Sequence, residues 1–173
     1  MEGTRFILIG QAGSGKDTVA NYLYVFHGFV KLSFAAKLKE IAEEMFPALW
    51  QSSRRQLLQD LGVKFREVEE NCWVDFLLKD VHEYQKIVIT DCRFENEYEI
   101  CLKKGFTPVH INCDIKTRAD RLFKRDGRRM TSAEMSHISE QLNVPCDYHL
   151  DNNHDFASLY DQIDVMVKDV VKC

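Results

Sequence analysis

Residues 7–23 read ILIGQAGSGKDTVANYL: three residues ending an apolar run, a glycine-rich turn, a lysine, and a segment whose apolar residues recur at helical spacing. A loop that wraps a phosphate needs glycines that accept unusual backbone angles, so that successive N–H groups turn inward, and a lysine that reaches the outer oxygens. Gly10, Gly13, Gly15 and Lys16 supply these parts. The bare GxxxxGK pattern arises by chance in roughly one chain in twenty of this length at ordinary composition, so its flanks decide the reading. Phe6, Ile7, Leu8 and Ile9 form the short apolar run of a buried parallel strand, and Val19, Ala20, Leu23 and Phe26 follow the loop with helical period. Strand, loop and helix start then concentrate donors and a positive dipole end on one anion.

Asp17 stands where such loops usually carry a hydroxyl that binds Mg²⁺. Three readings stay open: the carboxylate binds the metal or one of its waters, Thr18 takes the hydroxyl role, or Asp17 only favours the first helical turn. A carboxylate beside a triphosphate is repelled, so a nearby Mg²⁺ or basic group is expected to offset it.

The chain of 173 residues is long enough for one domain with a full core, and the expectation is a single domain over 1–173. With 45% hydrophobic residues, 29% charged residues and a net charge of −4, it reads as a soluble globule and not as a binder of nucleic-acid polymers. No run reaches membrane-spanning length and the N-terminus lacks a secretory pattern, so the expected location is cytoplasmic, with no membrane partner. Six cysteines (Cys72, Cys92, Cys101, Cys113, Cys146, Cys173) without a CxxC pair read as reduced thiols, several of them core. His149 and His154 read as solvated loop residues.

Further strand-like runs lie around 29–34, at 87–90, at 106–111 and weakly at 148–150. Helical patterns separate them. Phe94, Tyr98, Cys101 and Leu102 share a face that stops at Gly105, a C-terminal cap. Thr131 and Glu134 fit a capping box, and Phe156, Leu159, Tyr160, Ile163, Val167 and Val170 line a last helix. This alternation predicts an α/β fold with a parallel sheet covered on both faces, whose ligands sit beyond the strand C-terminal ends.

Two groups of polar residues fall at those ends. Asp91 and Arg93 follow the run KIVIT; an acid there suits metal positioning, and it also suits capping of the helix that begins near Phe94. Arg118, Arg121, Arg125, Arg128 and Arg129 follow the next strand, the first three along one side of a helix. In a generic chain they would be a solvated face, but beside a phosphate loop the arginine fork suits bidentate phosphate contacts. An acceptor that already carries a dianionic phosphate needs alignment and charge neutralisation and no obligatory base, whereas a hydroxyl acceptor needs a base, for which Asp91 remains available. The helical insert at 31–80 offers Lys37, Arg55, Gln59, Arg66 and Trp73, each equally readable as surface or packing.

The stretches GQAGSGKDTVANYL, LSFAAKLKEIA, RRQLLQDLG, WVDFLLKDV, VITDCRFENE and DYHLDNN resemble, in order and over nearly the whole chain, the deoxynucleoside monophosphate kinases of the bacteriophage type. That resemblance implies a three-layer P-loop kinase fold with a five-stranded parallel sheet, an acceptor-binding insert at 31–80 and a lid at 114–131. It implies ATP with Mg²⁺ as donor and a deoxynucleoside 5′-monophosphate as acceptor, and an Asp-Thr loop variant is that family's own. Carried over by residue, Gly13, Ser14, Gly15, Lys16, Asp17 and Thr18 hold the donor phosphates, and Asp91, with Asp17 or Thr18, positions Mg²⁺. Lys37, Gln59, Arg66 and Arg93 meet the acceptor. Arg121, Arg125 and Arg128 close over the transferring phosphoryl, and Asn152 in DNNHDF approaches adenine. Two other readings remain: a kinase for a non-nucleotide acceptor of the phosphomevalonate or dephospho-coenzyme A kind, and a nucleotide-binding module without transfer. Whether the protein is a monomer or a homodimer is left open.

Overall fold

Phe6, Ile7, Leu8 and Ile9 are all at most 1% exposed in β1 (Thr4–Ile9), because the strand runs through the middle of a sheet covered on both faces. The structure, a computed structural model, describes residues 3–79, 81–129 and 142–171. After β1 come α1 (Lys16–His27), β2 (Val30–Leu32), α2 (Ala35–Met45), α3 (Pro47–Ser52), α4 (Arg54–Val68) and α5 (Cys72–Leu78). A short 3₁₀ turn at Val81–Glu83 leads to β3 (Lys86–Ile89), α6 (Glu95–Lys103), β4 (Thr107–Asn112), α7 (Ile115–Asp126), β5 (Tyr148–Asp151) and α8 (Phe156–Val171). The five strands lie in the order β2-β3-β1-β4-β5, with β1 parallel to β3 and β4, and β4 parallel to β5.

That order reverses between the β1–β2 and β3–β4 crossovers. Right-handed connections therefore put α1 and α6 on opposite faces of the sheet. On one face Phe6, Leu8, Val88, Val109, Ile111 and Leu150 pack with Val19, Ala20 and Leu23 of α1 and with Leu159, Ile163, Met166 and Val167 of α8. The alternate residues Ile7, Ile9, Ile87 and Ile89 are buried on the other face.

Helix ends follow from glycines. Gly28 (φ 71°) closes α1, its N–H bonding the Leu23 carbonyl, and Gly105 (φ 76°) follows α6 as the sequence predicts. Three expected apolar stripes are narrower than their spacing suggests. Phe26 is 67% exposed and lies tilted against Tyr22 one turn back (4.7 Å), which in turn stacks on Tyr160. Leu102 is exposed because its neighbour Cys101 takes the core position, and Phe156 lies outside on Tyr160 (6.0 Å). The strand expected around 29–34 is shorter, since Phe29 leaves the strand to stack on Phe6 at 5.2 Å. The Thr131–Glu134 capping box lies outside the described residues.

The chain divides into two compact units, Met1–Lys31 with Tyr84–Cys173, and Leu32–Glu83. In the second, α2 meets α4 where Gly62 leaves room for Leu38, and Phe65 lies tilted against the buried Trp73 at 4.9 Å. No described helix is long and apolar enough to cross a membrane.

Candidate functional site

The loop between β1 and α1 turns on Gly10, Gly13 and Gly15, with φ of 153°, 78° and 102°. At two of these positions a side chain is excluded by space as well as by torsion. A Cβ on Gly13 would stand 2.9 Å from the Arg118 carbonyl oxygen, and one on Gly15 would stand 2.0 Å from Asn152 Nδ2. Gly15 caps α1 from the left-handed region with no side-chain hydrogen bond, which leaves the first-turn N–H groups to an outside acceptor. Ser14 is 1% exposed and its buried hydroxyl has no partner among the described residues, while its N–H donates to the Gln11 carbonyl (3.1 Å). Half-buried Lys16 folds over the loop, its Nζ donating to the carbonyls of Gly10 and Gln11. An orphan hydroxyl, a glycine cradle and an uncapped helix start fit a polyphosphate.

Asp17 is exposed and Thr18 half-buried in the first turn of α1. Among the described residues no three His, Cys, Asp or Glu side chains gather into a ready-made cation site. A Mg²⁺ beside this loop would therefore take most ligands from phosphate and water, with at most Asp17 or Thr18 and Asp91 from the protein, as such ions commonly do.

Asp91 and Arg93, both half-buried, follow β3 at its C-terminal end, two and four residues beyond Ile89, whose partner in β1 is Ile7. Asp91 does not cap α6. Glu97, 2% exposed, accepts the backbone N–H groups of Arg93 (2.8 Å) and Phe94 (3.2 Å), so a residue one turn inside the helix holds the stretch that carries both site residues. Hydrogen bonds to a charged acceptor contribute about 1.5–3 kcal/mol. Glu97→Ala should lower stability by that order in chemical denaturation and loosen the stretch that carries Asp91 and Arg93.

His110 was not singled out in the sequence. In β4 it pairs in register with Ile9, the residue before the loop, and with His149 of β5, the two rings 5.7 Å apart. Burial lowers its pKa, and the nearby His149 and Lys16 charges add to this, against a hydrogen bond with Asn112 that raises it. Its NMR titration midpoint should fall below the ordinary value of about 6.5. The unfolded chain then takes up the proton first, so stability present above that ordinary value is lost as pH falls from it through the folded pKa. His110→Gln should flatten this slope in denaturation measured across pH.

The arginines of α7 separate into two groups. Arg118 Nη1 donates to the Ala12 carbonyl (3.4 Å), and Arg121 donates to Cys113 Sγ (3.3 Å) and to the Asn152 carbonyl (3.1 Å) and Oδ1 (3.4 Å). Both lie against the loop. Arg125 instead forms a two-point pair with the adjacent Asp126 (2.6 and 2.8 Å), and Arg128 bonds the Arg129 carbonyl, both exposed. Asn152 is 2% exposed, and its side-chain amide donates to the Ser14 carbonyl at 2.7 Å. Asn153 ties the same loop to the start of α7 by accepting the Asp114 N–H (2.7 Å).

In the unit Leu32–Glu83, Lys37 pairs with Glu40 (2.9 Å), Arg66 donates to the Gly62 carbonyl (3.0 Å), and Gln59 is half-buried. Trp73 is 5% exposed, a packing residue whose indole N–H lacks a partner among the described residues. Cys92 and Cys101 are buried free thiols; burial pushes Cys92 up strongly and Cys101 to about 12, which keeps both protonated and unreactive.

Among solved structures, the chain is similar to TT1252 from Thermus thermophilus (TM-score 0.62, 18% identity, covering 99% of this chain and 98% of that one). It is also similar to a gluconokinase from Sinorhizobium meliloti 1021 (0.57, 15%, 97% and 95%) and to a shikimate kinase from Acinetobacter baumannii in complex with shikimate (0.57, 12%, 98% and 94%). At these identities the likeness establishes the fold, that of P-loop kinases. No curated protein matches. The AAA domain family matches residues 7–141, which hold the phosphate loop, the Asp91 strand end and the arginines of α7, and the chain belongs to that family.

Proposed function

We propose that this protein is an ATP-dependent kinase that converts deoxynucleoside 5′-monophosphates to diphosphates. The observation that carries the reading is the loop itself. Gly10, Gly13 and Gly15 hold a cradle at the uncapped start of α1, with the Lys16 ammonium over it and Asp91 and Arg93 at the neighbouring strand end. The loop N–H groups and Lys16 bind and neutralise the donor phosphates. Mg²⁺, where bound, spreads the charge that builds up on the β- and γ-phosphates.

An oxygen of the acceptor phosphate attacks the γ-phosphorus, the bond to the β-bridging oxygen breaks, and ADP leaves with the electron pair. A terminal phosphate is largely dianionic near neutral pH, so no base is required, and Arg93 supplies charge where acceptor and donor meet. The acceptor class rests on the stretches LSFAAKLKEIA, RRQLLQDLG with Arg66 following, and TDCRFENE, which are similar to those of phage-type deoxynucleotide kinases and imply Lys37, Gln59 and Arg66 as acceptor contacts. In this reading Arg125 and Arg128 exchange their local partners for the transferring phosphoryl group when the site closes.

The test is ADP release from MgATP with each of dAMP, dGMP, dCMP, dTMP and AMP, with a no-acceptor control and products identified by mass. Release dependent on a dNMP, with the matching diphosphate, is the expected result. Transfer only to a non-nucleotide phosphate, or tight nucleotide binding with no transfer, would overturn it.

A further inference from the structure

Asn152 is buried where β5 ends, and all four of its polar atoms are engaged at the phosphate loop or beside it. Its N–H donates to the Asn112 carbonyl (2.9 Å), its Nδ2 to the Ser14 carbonyl (2.7 Å), and its own carbonyl and Oδ1 both accept from Arg121 Nη2. The Ser14 carbonyl and the Gly15 N–H belong to one planar trans peptide, so they point in opposite directions. Drawing the carbonyl toward Asn152 turns the Gly15 N–H away from it. The Asn152 amide has two orientations, and only one puts Nδ2 toward Ser14. Arg121, which has donors and no acceptor, selects that orientation by bonding Oδ1.

We propose that Asn152 and Arg121 are positioning residues for the donor. Asn152 fixes the Ser14–Gly15 peptide so that the Gly15 N–H faces the phosphates, and Arg121 fixes Asn152. The proposal rests on the loop being the donor site and assigns neither side chain to the base. It also explains why position 15 is glycine, since the supporting amide occupies the place a Cβ would take, 2.0 Å away. Because Arg121 lies on α7, the helix that leads into the arginine-rich segment is linked through Asn152 to the peptide that shapes the phosphate cradle.

The experiment compares affinities for MgATP and for inorganic tripolyphosphate, which has no base, in the full-length wild type, Asn152→Asp and Arg121→Lys, with Tm measured for each. Asn152→Asp sets a carboxylate oxygen against the Ser14 carbonyl, and the expected result is a loss of about 10- to 10²-fold for both ligands, the scale of one hydrogen bond to a charged group. Arg121→Lys keeps the charge and removes the fork, and should lower both affinities in parallel, more weakly, in a protein that stays folded. Weaker MgATP binding with unchanged tripolyphosphate binding would put these residues at the base and overturn the proposal, as would unchanged affinities for both ligands beside a lowered Tm. Should Asn152→Asp fail to fold, the Arg121→Lys comparison decides by the same criteria. Both readouts are of binding, so a wild type that binds MgATP and transfers to no acceptor would reject the kinase reading while this comparison still decides the positioning role.

Discussion

Lys16→Ala should lower acceptor-dependent ADP release by about 10²–10³-fold or more, the range measured when one preorganised donor to a developing negative charge is removed. Lys16 is the ammonium held over the loop, bonded to the carbonyls of Gly10 and Gln11. Those two bonds keep the positive charge at the cradle, so no large rearrangement is needed to meet a phosphate. Each is worth about 0.5–1.5 kcal/mol in a partly solvated setting. The variant should accordingly fold, with Tm lowered by only several degrees at about 2–4 °C per kcal/mol for a chain of this size. Steady-state assay with whichever acceptor gives ADP release, beside a thermal melt, separates the two effects. A folded variant with the wild-type rate would remove the loop from the chemistry.

Gly15→Ala should be strongly destabilising. Its φ of 102° is a backbone region that a side chain occupies only under strain, and the new Cβ would overlap Asn152 Nδ2 at 2.0 Å. Strain of this kind costs about 1–3 kcal/mol and overpacking a further 1–3 kcal/mol. A total near 2–6 kcal/mol lowers Tm by roughly 5–20 °C. Gly28→Ala is the internal control. It also has positive φ, 71°, but nothing lies within 4 Å of its Cβ position, so it carries only the torsional part. Unfolding both variants in urea, with Gly15→Ala repeated in an Asn152→Ala background, measures the contact. The second substitution should return part of the loss, whereas equal destabilisation by Gly15→Ala and Gly28→Ala would show that the close approach carries no weight.

The phosphate loop, the parallel sheet and the acid and arginine at the end of β3 were legible in the sequence, because each depends on local pattern. Gly10, Gly13, Gly15 and Lys16 stand at fixed spacing, and Ile87, Val88 and Ile89 need only be apolar in a row. What was not legible depends on partners far away in the chain. Nothing near Asn152 shows that its amide reaches Ser14, and resemblance alone directs it to adenine. Arg121 and Arg125 stand one helical turn apart with the same chemistry. One lies on the loop because Asn152 and Cys113 are there to receive it, and the other pairs with Asp126 in solvent. Glu97 reads as one more surface acid in FENEYE, yet the two backbone N–H groups it accepts account for its burial. Phe26 and Leu102 failed in the opposite sense: helical spacing marked them as inner residues, and the sheet beneath was already filled by Leu23 and Cys101.

The bond from Asn152 to Ser14 joins positions 138 residues apart and reverses the order of synthesis. The glycine loop leaves the ribosome before the side chain that fixes its peptide, which lies one residue beyond β5. At roughly 5–20 residues per second, about 7 to 28 s separate the two in translation. A nascent chain that stops before residue 148 carries every residue of the GxxxxGK pattern and lacks the amide that sets its Gly15 N–H. In the positioning proposed for Asn152, the loop of a growing polypeptide gains its full set of supporting bonds only once β5 has paired with β4.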